Sequence, residues 1–356
     1  MYKNSIKIFF ILILSIIIFS PVAVRAAETI TLVEAVEMAL EENTELEIAE
    51  KELENARLQY EKSRAQNLAS NSKTARLEAE YNLSSAKDQY EQTKNSIIND
   101  TIKGYTDLLQ SHQTIKIREE NLKLAEKKLK DTEEMVDAGE SGELDLLKEK
   151  NNFSDAEYNL DEARRNNEQL LKEFKTLINY EREKSLELQV LDEPDIWEIE
   201  EKKAVELALE NNRELLSSEK NLELTEAQKD KELMGSTPKL DREISKNDYE
   251  IARLERDNTR ESIENSVPQL HYQLRQSIRK LELEEEKMRE AKESYELVQE
   301  QHEAGLSTET ELLESRLALL EAEQSHMNAV TDYYLQEEEL RNELNLEAGV
   351  LQDEEE

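Results

Sequence analysis

Long stretches of the chain place apolar residues three and four positions apart, the spacing typical of one face of an α-helix. In residues 143–179 this stripe is unbroken, with one polar member: Phe153, Ala156, Leu160, Ala163, Asn167, Leu170, Phe174 and Leu177. In residues 309–346 most of the same stripe returns, with Gln324 as its polar exception: Leu313, Leu317, Leu320, Met327, Val330 and Tyr334. Such stripes predict helices that pack along a seam, as in coiled coils.

The periodicity predicts two series of helices. In the first half we expect helices over residues 32–62, 74–136 and 143–179, with a loose segment at 66–72 and a turn at 137–142. In the second half we expect them over residues 201–233, 242–302 and 309–346, with a break at 234–238 and a turn at 303–308. A helix of about 60 residues is about 90 Å long. Each hairpin would be too thin to bury both of its faces, so oligomerisation is expected.

An internal repeat relates the two halves. Residues 35–43 (AVEMALEEN) recur as 204–212 (AVELALENN), and residues 138–147 (AGESGELDLL) correspond to 304–313 (AGLSTETELL). The first pair is separated by 169 residues and the second by 166. Because two different motifs keep their order at nearly one separation, they indicate a tandem duplication.

The segment between the repeats has a different pattern. Residues 186–190 (LELQV) alternate like a short half-buried strand, and residues 192–195 (DEPD) break it. We therefore predict an all-α fold of two long antiparallel coiled-coil hairpins. The predicted organisation is a first repeat over residues 27–185, a linker over 186–200, a second repeat over 201–346 and an acidic tail over 347–356.

Residues 1–26 have the pattern of a secretory signal peptide. Lys3 and Lys7 precede an almost unbroken apolar run over residues 8–19, and small residues precede a cleavage point after Ala26. The alternative is an uncleaved membrane anchor, although the apolar run is short for a membrane span. Both interpretations predict an exported protein of the cell envelope.

The composition limits the function further. The chain has 83 Asp and Glu against 46 Lys and Arg, a net charge of −37, which argues against nucleic acid or an anionic membrane surface as partner. It has no Cys, which excludes thiol catalysis and disulfides.

No metal site, cofactor or catalytic residue is predicted, since the four histidines lack ligand spacing: His112, His271, His302 and His326. The glutamate runs at 284–286, 337–339 and 354–356 are interpreted as solvated surfaces or tail.

The opening segment TLVEAVEMALEEN at residues 31–43, its second copy, and the Gly turns followed by Leu-Leu resemble the TolC-type outer-membrane efflux protein family. The resemblance implies two helical hairpins per subunit and three subunits that close into a hollow twelve-helix tunnel. It also implies that the Gly turns lie at the tunnel tip, where a periplasmic membrane-fusion (adaptor) protein docks in a system with an inner-membrane pump.

One departure from that family changes the expectation. The family inserts two membrane-spanning strands between the first and second helices of each repeat. Here only residues 66–72 and 234–238 occupy those places. A membrane-spanning strand needs about 9 to 11 residues, so neither segment is long enough for even one such strand. We therefore expect a TolC-like helical tunnel subunit without an evident β-barrel. Its expected location is the cell envelope, periplasmic or extracytoplasmic. The family resemblance implies the outer membrane, while the missing strands argue against a direct span of it.

By the same resemblance, the turns contain the adaptor-docking residues: Ala138, Gly139, Ser141, Ala304, Gly305, Leu306 and Ser307. The alternative for the glycines is a turn residue that accepts positive φ. Gly104 and Pro268 lie deep in the long helices and are interpreted as a shared kink or as independent tolerated defects. The predicted function is an efflux or secretion conduit that docks an adaptor. The alternative is a coiled-coil spacer or tether without a conduit.

Overall fold

The structure is a computed structural model that describes residues 28–70, 72–181, 184–191 and 193–351. The predicted signal peptide and the glutamates at 354–356 lie outside these residues. The secondary-structure elements are β1 (Glu28–Ile30), α1 (Leu32–Glu41), α2 (Thr44–Ser70), α3 (Lys73–Asp137), α4 (Glu143–Leu177), β2 (Leu186–Leu188), α5 (Glu201–Asn211), α6 (Arg213–Met234), α7 (Lys239–Glu303) and α8 (Glu309–Glu343). A 3₁₀ turn, Gly349–Leu351, follows α8. The predicted all-α fold is thereby confirmed.

The internal repeat extends to the element boundaries. Helices α3 and α7 each have 65 residues, α4 and α8 each have 35, and both pairs begin 166 residues apart. Two asparagines just after α4 and α8, Asn179 and Asn345, also lie 166 apart and adopt positive φ angles of 50° and 55°. Equal lengths at one offset are what a duplicated hairpin would produce.

The helices form a single layer that is four rods wide. Helices α2 and α4 follow one another along one side of α3, while α6 and α8 lie between α3 and α7. The short helices α1 and α5 pack against α3 and α7, respectively. A layer of this kind has two open edges, one formed by α2 and α4 and the other by α7.

Both seams predicted from the sequence face neighbouring helices. The residues of the α4 stripe are buried or half-buried, with Leu160 and Phe174 fully inside. The polar members are paired with α3. The amide of Asn167 donates to Ser111 Oγ at 2.7 Å, and the amide of Gln324 donates to Thr114 Oγ1 at 2.9 Å. A polar residue inside a seam whose side chain is hydrogen-bonded to the neighbouring helix fixes the register between the two helices.

Two of the predicted helices are each divided in two. Residues 32–62 and 201–233 were expected to be continuous, but the structure has breaks at Asn43 and Asn212. The Asn43 side chain accepts from the amides of Glu45 and Leu46, and that of Asn212 accepts from the amide of Leu215 at 3.0 Å. Each asparagine is thus an N-cap that satisfies amides at the start of a new helix.

The loose segment expected at residues 66–72 is shorter than predicted. Helix α2 continues to Ser70, and α3 begins at Lys73 with Ser72 Oγ accepting from the amide of Ala75 at 3.3 Å. The break after α6 covers residues 235–238, close to the prediction.

The two strands tie the start of the first repeat to the linker. They pair in parallel, with Ile30 opposite Leu188. The Tyr105 hydroxyl of α3 lies 2.9 Å from the Ile30 carbonyl oxygen and 2.6 Å from that of Gln189. The second repeat has an equivalent contact, in which His271 Nε2 lies 2.8 Å from the Ile199 carbonyl oxygen. The main apolar cores surround these contacts.

The interpretation of residues 337–339 as a solvated surface is wrong for two of the three glutamates. Glu337 is 6% exposed and Glu338 is 1% exposed. Glu337 pairs with Arg341 at 2.6 Å, and Glu338 accepts from the amide of Val350 at 3.0 Å. The chain after α8 folds back onto the helix, so the first residues of the predicted acidic tail belong to the core.

Candidate docking site at the paired turns

The α3–α4 and α7–α8 turns lie side by side at one end of the layer, which we name the turn end (residues 137–142 and 303–308). Lys128 of α3 pairs with Glu314 of α8 at 2.7 Å, and Lys127 lies 3.6 Å from Glu309. These ion pairs are within about three helical turns of both tips. The structure therefore brings together the two sets of residues predicted for docking.

The backbone of each turn requires glycine. Gly139 has φ +75° and Gly305 has φ +71°, in the left-handed region that glycine adopts without strain. In both turns the glycine amide and the next amide bond back to carbonyls of the preceding helix, at 2.8 to 3.0 Å. A Cβ at either glycine would meet nothing within 4 Å. The space above both glycines is therefore open to a partner.

The serines of the two turns hold the loops in shape. Ser141 Oγ donates to Asp145 Oδ2 at 3.0 Å, and Ser307 Oγ donates to the Val298 carbonyl at 3.2 Å. His302 Nδ1 lies 3.1 Å from the Ser307 carbonyl oxygen. Both serines are half-buried, whereas the alanines and glycines of the turns are exposed. The serines therefore position the surface that the small residues present.

The start of α8 is fixed by a capping box. Thr308 Oγ1 accepts from the Glu311 amide at 3.2 Å, and Glu311 Oε2 accepts from the Thr308 amide at 2.8 Å. The bonds from the Thr308 backbone and hydroxyl lower the pKa of Glu311. This carboxylate is consequently ionised and holds the turn in its observed form.

Exposed apolar side chains surround the turns. Leu306 is 79% exposed at the tip of the second hairpin, and Leu144 is 75% exposed at the base of the first. Met135 and Leu147, also near the first turn, are exposed as well. The sequence predicted a docking role for Leu306 but not for the other three. Leu144 and Leu147 belong to the repeated motif that indicates the duplication and the family resemblance, and Met135 precedes that motif.

The turn end is also strongly acidic. Residues 131–147 contain seven Asp and Glu and no Lys or Arg, and residues 300–314 contain five Glu and no Lys or Arg. A surface with open glycines, exposed leucines and dense negative charge fits a partner tip that is apolar at its centre and basic at its rim.

The residues interpreted as kinks lie inside continuous helices. Gly104 does not interrupt α3, and Pro268 does not interrupt α7. A Cβ at Gly104 would lie 3.1 Å from Phe174 Cδ2 and 3.3 Å from Leu177 Cδ2. Gly104 therefore lets α4 approach α3 closely, while a bend at Gly104 and Pro268 stays a prediction.

Within the described parts of the chain, no three His, Asp or Glu side chains are grouped so that they could hold a metal ion. None of the described helices is both long and apolar enough to cross a membrane.

Comparison with known proteins agrees with this geometry. Residues 239–346 match the family model of outer membrane efflux proteins. No curated protein matches the chain significantly.

Solved structures share the fold over most of the chain. The outer-membrane channel OprN has a TM-score of 0.62 at 16% identity over 90% of each chain. The Campylobacter jejuni CmeC outer membrane channel has a TM-score of 0.61 at 17% identity, over 88% of this chain and 85% of CmeC. For the outer membrane protein VceC from Vibrio cholerae the values are 0.59 and 12%, over 88% of this chain and 95% of VceC. The fold is therefore that of the outer-membrane channel proteins, and the predicted resemblance to the TolC-type outer-membrane efflux protein family is confirmed.

Proposed function

We propose that this chain is a subunit of an efflux or secretion conduit of the cell envelope. In this proposal, copies of the chain close into a ring, a homotrimer by family resemblance, and the turn end docks a periplasmic membrane-fusion adaptor that connects to an inner-membrane pump. The observation that carries the proposal is the apolar outer edge of the layer.

Helix α7 has an apolar stripe on the side opposite its buried residues. The stripe consists of exposed side chains whose spacings are close to whole numbers of helical turns: Ile251, Leu254, Tyr272, Leu283 and Leu297. The buried face of the same helix, which includes Ala252, Ile263, Val267 and Leu274, points back into the layer. A helix that is apolar on two opposite faces is made to pack on both sides.

The opposite edge of the layer is also partly apolar. Exposed apolar residues of α2 and α4 are Ile48, Leu58, Leu144, Leu147 and Tyr158. Because the two edges differ, an α7 edge would pack on the α2 and α4 edge of the next copy. Such a head-to-tail contact closes into a ring when the layer is curved enough. A closed ring of single layers encloses a lumen, which is the basis of a conduit.

The docking role rests on the turn end. Both turns hold open glycines beside exposed leucines, and the family-model match spans the whole second hairpin with its turn. Leu306 has no core of its own to join, so a partner is the natural place for it to pack.

The rival function is a coiled-coil spacer or tether without a conduit. It would also expose acidic turns, but it needs neither a closed ring nor a lumen. A hollow oligomer is thus the property that separates the two.

The ring is tested by substituting Ile251 and Leu254 with Glu. We expect the wild-type protein to sediment as a trimer whose small-angle scattering is that of a hollow cylinder, and the double variant to be a helical monomer. The control is Gln273→Glu, which adds charge to an exposed residue of α7 beside the stripe. A wild-type monomer at micromolar concentration, or a solid rod, would favour the spacer.

Docking is tested at the second turn. Leu306→Asp should abolish adaptor binding, because an unpaired carboxylate buried at the contact costs several kcal/mol, roughly 100-fold or more in affinity. The matched control is Glu140→Asp, since Glu140 occupies the equivalent position of the first turn and is already acidic. If Leu306→Asp keeps wild-type adaptor affinity while folded, the docking role is wrong even if the ring is right.

A further inference from the structure

The end of the layer opposite the turns has the reverse charge of the rest of the protein. We name it the junction end, because there α2 meets α3 and α6 meets α7 (residues 62–66, 72–77 and 229–246). The two junctions lie together, since Leu77 of α3 packs against Leu224 and Ala227 of α6. Lys220 of α6 also donates to Ser84 of α3 at 2.9 Å.

The first junction has basic residues and no acidic ones. Residues 62–66 and 72–77 contain Lys62, Arg64, Lys73 and Arg76, all exposed, and no Asp or Glu. The second junction, residues 229–246, has five Lys and Arg against four Asp and Glu. With the adjoining Glu61, Glu78 and Glu80 included, two of which pair with Arg64 and Arg76, the junction end still has a net charge of +2, in a chain whose total is −37. The argument from total charge against an anionic partner therefore does not apply at this end.

Several of these cations are not neutralised by neighbours. Arg64 and Arg76 lie within 4 Å of glutamates of their own helices, at 3.8 and 3.7 Å. By contrast, four exposed lysines take part in none of the ion pairs found among the described residues: Lys62, Lys73, Lys231 and Lys239. These four ammonium groups are available to an external anion.

Exposed apolar side chains stand among the lysines. Met234 is 87% exposed and Leu240 is 76% exposed, on either side of the four-residue loop between α6 and α7. Leu233 and Ile244 flank them and are also exposed. Basic side chains around protruding apolar ones form the pattern that binds at a lipid headgroup layer, where lysines meet phosphates and apolar side chains enter the acyl boundary.

We propose that the junction end is a peripheral membrane-binding surface for a bilayer containing anionic lipids. A nucleic acid would leave Met234 and Leu240 without a partner, whereas a bilayer accommodates both the charges and the apolar tips. The opposite ends of the molecule would then be sorted by charge, with the acidic turn end directed away from the anionic surface. This binding requires neither a ring nor an adaptor.

The test is co-sedimentation of the chain from residue 27 onward, past the predicted cleavage point, with vesicles of phosphatidylcholine alone or with one third phosphatidylglycerol. Each lysine near an anionic surface strengthens binding roughly five-fold. Reversing four lysines (Lys62, Lys73, Lys231 and Lys239, each to Glu) should therefore weaken binding to anionic vesicles roughly 100-fold or more.

The matched control reverses four exposed lysines elsewhere: Lys148, Lys172, Lys202 and Lys292, each to Glu. It makes the same change in net charge and should weaken binding less than about three-fold. Met234→Ser with Leu240→Ser should weaken binding while keeping its dependence on anionic lipid. Residues 1–26 are left out of every variant, because the apolar run at residues 8–19 would itself enter vesicles and hide the effect of the lysines.

Three results would overturn the proposal. They are a wild-type protein that does not distinguish anionic from neutral vesicles, a four-lysine variant that binds as the wild type does, and a control that loses as much as that variant. Circular dichroism of each variant establishes that it is folded. Failure here would leave the ring and the adaptor contact untouched, because neither depends on the junction end.

Discussion

Replacing Glu338 with Gln should make the protein more stable at pH 8 but hardly at pH 5. Glu338 is 1% exposed, and its carboxylate accepts from the amide of Val350 at 3.0 Å. Burial raises its pKa from 4.5 to about 7, and the neighbouring Glu337 adds to this against the opposing effect of the amide bonds. Its ionised form is therefore disfavoured in the folded protein.

The pKa shift sets the size and sign of the effect. Each pKa unit corresponds to about 1.36 kcal/mol, so ionised Glu338 costs about 3 kcal/mol at pH 8. The cost develops as pH rises, because the unfolded chain releases its proton from about pH 4.5 while the folded chain keeps it until about pH 7. At pH 5 the cost is below about 1 kcal/mol. Gln keeps the shape and the acceptor oxygen but does not titrate.

The assay is urea denaturation at pH 5 and pH 8, followed by the fluorescence of Trp197. This indole stacks on Arg341, whose Cζ lies 4.4 Å from the ring centroid, so it reports on the packing around Glu338. The free energy of unfolding of Glu338→Gln, relative to wild type, should rise by about 2 to 3 kcal/mol between the two pH values. Glu339→Gln, at the exposed neighbour, is the control and should show no such rise. An equal difference at both pH values would refute the reasoning.

Two further predictions concern packing and capping. Gly104→Leu should destabilise the protein by about 1 to 3 kcal/mol, because the added side chain meets Phe174, whereas Lys103→Leu on the exposed side should change the urea midpoint little. An unchanged midpoint for Gly104→Leu would show that α4 is not held close to α3. Asn43→Ala should cost about 1 kcal/mol through loss of an N-cap, and Asn212→Ala should cost more, since its amide also donates to a carbonyl at the end of α8 at 3.3 Å. Equal thermal midpoints for the two alanine variants would contradict that added bond.

The long helices and their turns could be predicted because their signals are local. A stripe at 3 and 4 spacing determines which side of α4 is covered, and the structure covers that side. Gly139 and Gly305 mark the turns because glycine accepts their positive φ angles most readily. Neither signal needs information from a distant part of the chain.

The breaks at Asn43 and Asn212 have a sequence signal that hydrophobic periodicity does not include. Both asparagines end the repeated motif and are followed within three residues by Glu-Leu. Asn is a poor residue inside a helix and a strong N-cap, so its presence at one position in both repeats favours a new helix start.

The strand pair had no comparable signal. β1 has only three residues, and its partner lies 158 residues further along the chain. Tyr105, which lies against the Ile30 and Gln189 carbonyls, is 75 and 84 residues from them. Contacts at such separations depend on how α3 is oriented against the linker, which the hydrophobic pattern of one helix does not specify.

The 166-residue separation of the repeats also relates two buried cations. Subtracting 166 from Arg341 gives Lys175, so both repeats have a cation near the end of the return helix, and both cations are buried. Lys175 donates to the carbonyl of Lys184, and Arg341 reaches the carbonyl of Glu347 at 3.5 Å, so each ties the helix to the segment that follows. A cation in the last turn also favours the negative end of the helix dipole. The same subtraction from Glu338 gives the exposed Lys172, which means that the buried carboxylate belongs to the second repeat alone, where the chain folds back onto its own helix.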